Sequence, residues 1–171
     1  MDDLTADFLR AAQGDRVAFA AAVRRSQAEV WRLCAHLIGR AHADDVTQDT
    51  YARVVHALPA FRGDASGRTW LLSIARRACA DEVRRRTRNR RRDAAAVVAE
   101  YAPDSSGAIA VEHLLHALPD DQRVAFVLTQ LHGLSYAEAA EVGAVPIGTI
   151  RSRVARARGA LVEEMRQAEA Q

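Results

Sequence analysis

Lysine is absent from the 171 residues, so all 24 cations are arginine, and in so alanine-rich a chain this bias carries no functional reading. Cysteine occurs only at Cys34 and Cys79, each inside an apolar helical pattern. Thiols so placed read as buried and unpaired rather than as a disulfide. No apolar run nears the ~20 residues a membrane span requires, so no membrane insertion is expected. The opening MDDLTADFLR is acidic and lacks the basic-then-apolar layout of an export signal, which predicts a cytoplasmic chain. There is no C-x-x-C, no G-x-S-x-G and no glycine-rich phosphate loop. His113 and His116 are three apart but have no third ligand near them in sequence, so neither a metal nor any other cofactor is expected. Nothing in the chain reads as an enzyme.

What is present is helical pattern and charge asymmetry. The chain is 49% hydrophobic and 27% charged, as globular proteins are. The net charge of +2 hides a polarity: residues 1–60 carry −1, residues 61–92 carry +8 and residues 93–171 carry −5. A basic block between two mildly acidic segments points to a polyanionic partner for the middle.

In chain order, helices are expected over about Leu4–Ala12 and from about Val17 to Gly39, with Phe19, Val23, Val30, Leu33 and Leu37 facing inward and Phe19 and Trp31 as core anchors. A third helix follows Ala43. One side carries Val46, Thr50, Tyr51, Val54 and Leu58; the other carries Asp45, Gln48, Asp49 and Ala52. The helix dipole gives Asp44 and Asp45 a structural reason to lie near the helix start, but Asp49 and Gln48 lack it as clearly. An acid and amide face without a nearby basic partner suits docking on a cationic protein helix. Metal binding or acid–base chemistry would need further ligands that the spacing does not supply.

Residues 59–68 read as a loop with Ser66 or Thr69 capping the next helix, Thr69 to about Arg86, which buries Trp70, Leu71, Ile74, Ala75 and Ala78. Its polar face shows Ser73, Arg76, Arg77, Ala80 and Arg84, and it runs into a nine-residue basic stretch ending at Arg92. Neutralising some ~6 phosphates there would give a log–log salt slope of roughly −5. Residues 93–108 read as a flexible linker, with Ala102 to Gly107 as its core. The fold expected is therefore all-α: two small helical domains, 1–92 and 109–171, of which the second holds a helix-turn-helix.

That helix-turn-helix is the most informative stretch. Gly133 is placed to end one helix. Ser135 and Glu138 form an S-x-x-E capping box for the next, and Gly143 with Pro146 punctuates a turn. From Ile147 onward, Ile150, Val154, Ala157 and Leu161 continue one apolar stripe. The opposite face carries Gly148, Thr149, Ser152 and Arg156, with Arg153 on its flank. A solvated amphipathic helix is the plain alternative, but a small, polar, cationic face opposite an apolar one suits a DNA major groove. Arg166–Gln171 reads as a frayed end.

These residues resemble a known family. Ala43 to Thr50, Phe61-Arg62-Gly63-Asp64, Thr69-Trp70-Leu71 and Ile74-Ala75-Arg76 resemble the second conserved region of extracytoplasmic-function (ECF) sigma factors. Leu118 to Arg123, Gly133 to Ala140 and Gly148 to Arg158 resemble the fourth. The ordered set covers nearly the whole chain. Gly67 departs from it, standing where the family often has a bulky or aromatic side chain.

The resemblance implies an alternative sigma factor that binds core RNA polymerase and directs promoter-specific initiation. Asp45, Gln48, Asp49 and Ala52 would dock on the clamp helices of the largest subunit. Phe61, Arg62, Gly63, Asp64, Arg68, Arg76, Arg77, Ala80 and Arg84 would engage and help melt the −10 element. Gly148, Thr149, Ser152, Arg153 and Arg156 would meet the −35 element, with their domain resting on the flap of the second-largest subunit. An anti-sigma protein is a further candidate partner. The rival is a stand-alone helix-turn-helix regulator binding an operator without polymerase. It would need a dimer interface, and no heptad run supplies one.

Overall fold

The structure, a computed structural model, describes residues 2–92 and 107–169. All its regular elements are helical, and no strand occurs among the described residues. The expected linker therefore lies almost wholly outside the described residues.

The first half comprises α1 (Asp3–Ala12), α2 (Arg16–Ile38), α3 (Ala43–Ala57) and α4 (Gly67–Arg92). Each early boundary has a local cause. Asp2 accepts the Thr5 amide and Asp15 accepts those of Val17 and Ala18, so a carboxylate caps each of the first two helices. The Ser66 hydroxyl accepts the Thr69 amide, and α4 begins two residues earlier than its apolar pattern suggested. Phe8, Leu33, Leu71 and Leu72 are fully enclosed. Each contributes about 1.5–3 kcal/mol relative to an exposed side chain.

Two expectations about this core change. Phe19 and Trp31 pack part-buried against the core, but its aromatic centre is a cluster of Phe8, Phe61 and Trp70, with ring centroids 4.5–6.0 Å apart. Trp31 is half-buried at the rim, where its indole N–H donates to Asp44 at 2.8 Å and the Arg40 guanidinium lies over its ring. On α2 the inward stripe runs through Ala18, Ala22, Ser26, Val30, Leu33 and Leu37, one step round from Phe19 and Val23. Ser26 ties α2 to α3 through a 2.7 Å contact with the Tyr51 hydroxyl. Cys34 and Cys79 are buried free thiols with sulfurs 3.7 Å apart.

Gly67 has a clear reason to be small. Its amide donates to the Thr5 hydroxyl at 2.7 Å, and a Cβ there would stand 2.9 Å from the Thr5 backbone. At Gly67 the chain lays α1 directly on the start of α4.

The second half comprises α5 (Gly107–Ala117), α6 (Asp120–Phe126), a wide π-type turn over Val127–Leu131, α7 (Tyr136–Gly143) and α8 (Ile147–Glu169). The capping box is formed in both directions: the Ser135 hydroxyl accepts the Glu138 amide, and the Glu138 carboxylate accepts the Ser135 amide. Gly133 takes a left-handed φ of 66° as expected. The left-handed residue after α7, however, is Ala144 (φ 52°) rather than Gly143. Its N–H closes on the carbonyls of Ala140 and Glu141, which offsets the strain of a Cβ in that region. Val142, Ile150, Val154 and Ala157 are buried and seat α8 on α6 and α7. Helix α8 continues through Arg166, where fraying was expected; residues 170–171 lie outside the described residues.

The halves touch. Helix α7 packs on α4, while α5, α6 and the π-type turn meet α2.

Candidate nucleic-acid interface

The acidic face of α3 is exposed as its periodicity predicts: Asp45, Gln48, Asp49 and Ala52 all point to solvent. It does have a basic partner. Arg53, four residues on, donates to Asp49 at 2.9 Å and to Asp81 of α4 at 2.5 Å. That pairing corrects the expectation of an acid face without a cation, because the i, i+4 spacing brings Arg53 under Asp49. Asp45 and Asp49 nonetheless keep open carboxylate edges beside a groove lined by Arg84, Arg85 and Arg88.

The loop from Phe61 to Arg68 divides by exposure. Phe61 is 5% exposed and wedged between Phe8 and Trp70, so it anchors the loop and is removed from the set that can touch DNA. Arg62 and Asp64 are exposed, and Arg62 is oriented by donating to the Pro59 carbonyl at 2.9 Å. Gly63 turns the loop with a φ of 79°.

Along α4, Arg77 is exposed and held by its own helix through the Ser73 carbonyl and hydroxyl. Arg84 pairs with Asp81, and Arg85 and Arg86 both pair with Glu82. These guanidiniums hold the Glu82 carboxyl well below its usual range, at about 2, against an opposing effect of burial. Arg76 differs. It is half-buried, its side chain makes no hydrogen bond among the described residues, and its Nε is enclosed without a partner there. Burial holds its guanidinium below the usual arginine range, and the charges of Arg77, Arg84 and Arg153 push the same way.

On α8, Gly148, Ser152 and Arg156 are exposed and Thr149 is partly covered. Arg153 is committed to Asp121 of α6 at 3.0 Å, which fixes α8 against α6. Arg156 sits at the centre of this face, exposed and in no ion pair among the described residues.

Arg68 was among the expected −10 residues, but its partners Glu29 and His132, and the further surface-shaping residues His36 and Glu112, were missed by pattern. Arg68 donates to Glu29 of α2 at 2.5 Å and to the carbonyl of His132 at 2.5 Å. The His132 ring lies 3.6 Å from the same Glu29 carboxylate and meets the His36 ring edge-on. Burial works to raise the Glu29 carboxyl, yet His132 and Arg68 outweigh it and bring it down to about 2. The Arg40 amide donates to Glu112 of α5 at 3.0 Å. No local periodicity links positions so far apart in sequence. Among the described residues no group of three or more His, Cys, Asp or Glu could hold a metal ion, and no helix is long and apolar enough to cross a membrane.

Known proteins share this arrangement. The Sigma-70 region 2 family matches residues 22–89 and the Sigma-70 region 4 family matches residues 108–161. The chain is 44% identical over 167 residues to the ECF RNA polymerase sigma factor SigC of Mycobacterium tuberculosis, covering 94% of this chain and 90% of that one. It is 34% identical over 170 residues to the ECF RNA polymerase sigma-E factor of Escherichia coli, covering 89% and 88%. Among solved structures, RpoE in complex with the anti-sigma factor NepR, from Bartonella quintana, superposes with a TM-score of 0.77 at 27% identity, over 86% of this chain and 96% of that one. CnrH in complex with the cytosolic domain of CnrY gives 0.77 at 28% identity, over 97% and 99%.

Proposed function

We propose a residue-level division of labour for this chain, which belongs to the ECF sigma factors of the sigma-70 family and directs promoter-specific transcription with RNA polymerase. Residues 1–92 form the core-docking and −10 domain, residues 93–108 the linker, and residues 109–171 the −35 domain. Asp45, Gln48, Asp49 and Ala52 dock on basic clamp helices of the largest polymerase subunit. Charge complementarity there sets register and encounter rate more than raw affinity.

Arg62, Gly63, Asp64 and Arg68 with the Arg76, Arg77, Ala80 and Arg84 face hold the opened −10 strand. Melting needs no nucleotide hydrolysis in this reading. Only the unpaired strand offers its bases and phosphates to the loop and to α4, so binding draws the equilibrium toward the open form. Gly148, Thr149, Ser152 and Arg156 meet the −35 element, with Arg153 bracing the helix, and their domain rests on the flap of the second-largest subunit. An anti-sigma protein covering both domains is a proposed partner, on the precedent of the RpoE and CnrH complexes. The protein works in the cytoplasm as a specificity subunit and not as an enzyme.

The single observation that carries this reading is one exposed acidic face on α3 in the same chain as two separate cationic faces, on α4 and α8. An operator-binding regulator has no use for the first. Permanganate footprinting tests the scheme. With core polymerase and this chain, thymines at the −10 element should become reactive; protection without reactivity, or reactivity without core, would overturn it.

A further inference from the structure

Cys34 of α2 and Cys79 of α4 are the only cysteines of the chain. They are 0% and 2% exposed, and the Cys79 S–H donates to the Cys34 sulfur at 3.7 Å. The promoter-binding scheme above uses neither. A single buried cysteine is inert packing, but three features set this pair apart. The sulfurs come from different helices, 45 positions apart in sequence, and already touch. Cys79 lines a cavity of about 350 Å³ between α4 and the α6–α8 pair, so one sulfur lies on a path for small molecules. Arg76 lines the same cavity, its charge acts on Cys79, and its Nε has no partner among the described residues. Reactive thiols occupy electropositive, partly open settings of this kind.

We propose that Cys34 and Cys79 form a peroxide-reactive dithiol that closes into a reversible disulfide, cross-linking α2 to α4 inside the first domain. This site stands apart from the promoter-binding reading above and adds a covalent state to the domain which that reading uses.

The contact readies one sulfur to lose its proton. Donation from Cys79 holds the Cys34 thiol below its ordinary value, against the effect of burial. The Thr47 hydroxyl, enclosed without a hydrogen-bond partner among the described residues, adjoins Cys34 and can donate to a thiolate there. The same sulfur–sulfur bond, with burial, raises the Cys79 thiol. The charge of the singly ionised pair therefore rests on Cys34. Passage of the remaining proton across the contact moves that charge to Cys79, on the cavity wall beside Arg76.

The Cys79 thiolate then attacks one oxygen of hydrogen peroxide. An S–O bond forms as the O–O bond breaks, giving a sulfenic acid and a hydroxide, which takes up the proton lost at ionisation and becomes water. The Cys34 sulfur attacks the sulfenic sulfur, and the S–S bond forms. The displaced hydroxide leaves with the Cys34 proton as a second water. Two thiols give up two electrons, and one peroxide accepts them. The sulfurs need only close from 3.7 Å to a bonded separation of about 2.05 Å. A dithiol reductant reverses the bond by exchange.

The test treats the full, reduced chain with hydrogen peroxide and reads thiol titration, peptide mapping without reductant and the thermal melt. The expected result is loss of both titratable thiols, a linked Cys34–Cys79 peptide, and recovery of both thiols with dithiothreitol. Because the cross-link closes a long loop, the melting temperature should rise by roughly 5–10 °C. Cys34→Ser and Cys34→Ala remove the resolving thiol, so peroxide should leave Cys79 as a sulfenic acid that dimedone labels. Two thiols still titrating at a peroxide dose that consumes glutathione, a bond found only between chains, or a lower melting temperature in the oxidised chain overturns the proposal. The wild-type readouts decide it even where a variant fails to fold.

Discussion

The hydroxyl of Thr5 accepts the backbone N–H of Gly67 at 2.7 Å, across sixty-two positions of sequence. The bond pins the first helix to the first turn of the helix that carries the −10 candidates. It also explains why a side chain is excluded at Gly67, where a Cβ would meet the Thr5 backbone at 2.9 Å. Gly67→Ala should therefore cost about 1–3 kcal/mol of stability, as other insertions into filled space do. Denaturant midpoints measure it, and an unchanged midpoint would show that α1 shifts freely.

Charge reversal at Asp49 separates docking from folding. Arg53 loses one partner but keeps Asp81, and exposed pairs are worth at most about 1 kcal/mol. Asp49→Arg should thus leave the melting temperature nearly unchanged while weakening binding to core polymerase about tenfold, or ~1.4 kcal/mol. Competition with a labelled sigma factor for core provides the measurement.

The arginines of α8 should behave differently from one another. Arg156 is exposed and in no ion pair among the described residues, so Arg156→Ala should weaken −35 binding by about 1–3 kcal/mol if it reads a base. The same loss on every sequence, with a shallower salt slope, would mark it as a phosphate contact. Arg153 is bound to Asp121, so Arg153→Ala should lower stability as well as DNA affinity, visible as a reduced melting temperature.

Acidification should destabilise the folded chain before its carboxylates titrate. Burial holds His36 below the ordinary histidine value, and the charges of His132, Arg32 and Arg40 add to this while Glu112 opposes it. The unfolded chain then binds more protons, so stability is full above about pH 6.5 and declines as pH falls below it. His42 and His116 are depressed by burial in the same sense. Glu29, held down to about 2, stays charged throughout this window. Melting temperature should fall between pH 7.5 and 5.5, and His36→Gln should flatten part of that fall.

Local chemistry made some of this legible in advance. The capping box at Ser135 and Glu138, the left-handed Gly133 and the outward face of Asp45, Gln48 and Asp49 each follow from residues within four positions of one another. Periodicity shows which side of a helix is buried, but not what buries it. The Phe8, Phe61 and Trp70 cluster was therefore out of reach, and with it the structural role of Phe61. The Arg53 bond to Asp81 and the Arg68 bond to His132 join separate helices, so no single-helix pattern contains them. Ala144 was missed because glycine is the usual left-handed residue, and here a backbone closure substitutes for the missing freedom.

The most direct test combines purified core polymerase, a mixture of promoter fragments and this chain, and maps where transcripts begin. The account predicts starts at fixed positions on a subset of fragments, appearing only when both proteins are present. Starts that do not depend on this chain, or their absence despite a folded chain and active core, would contradict it.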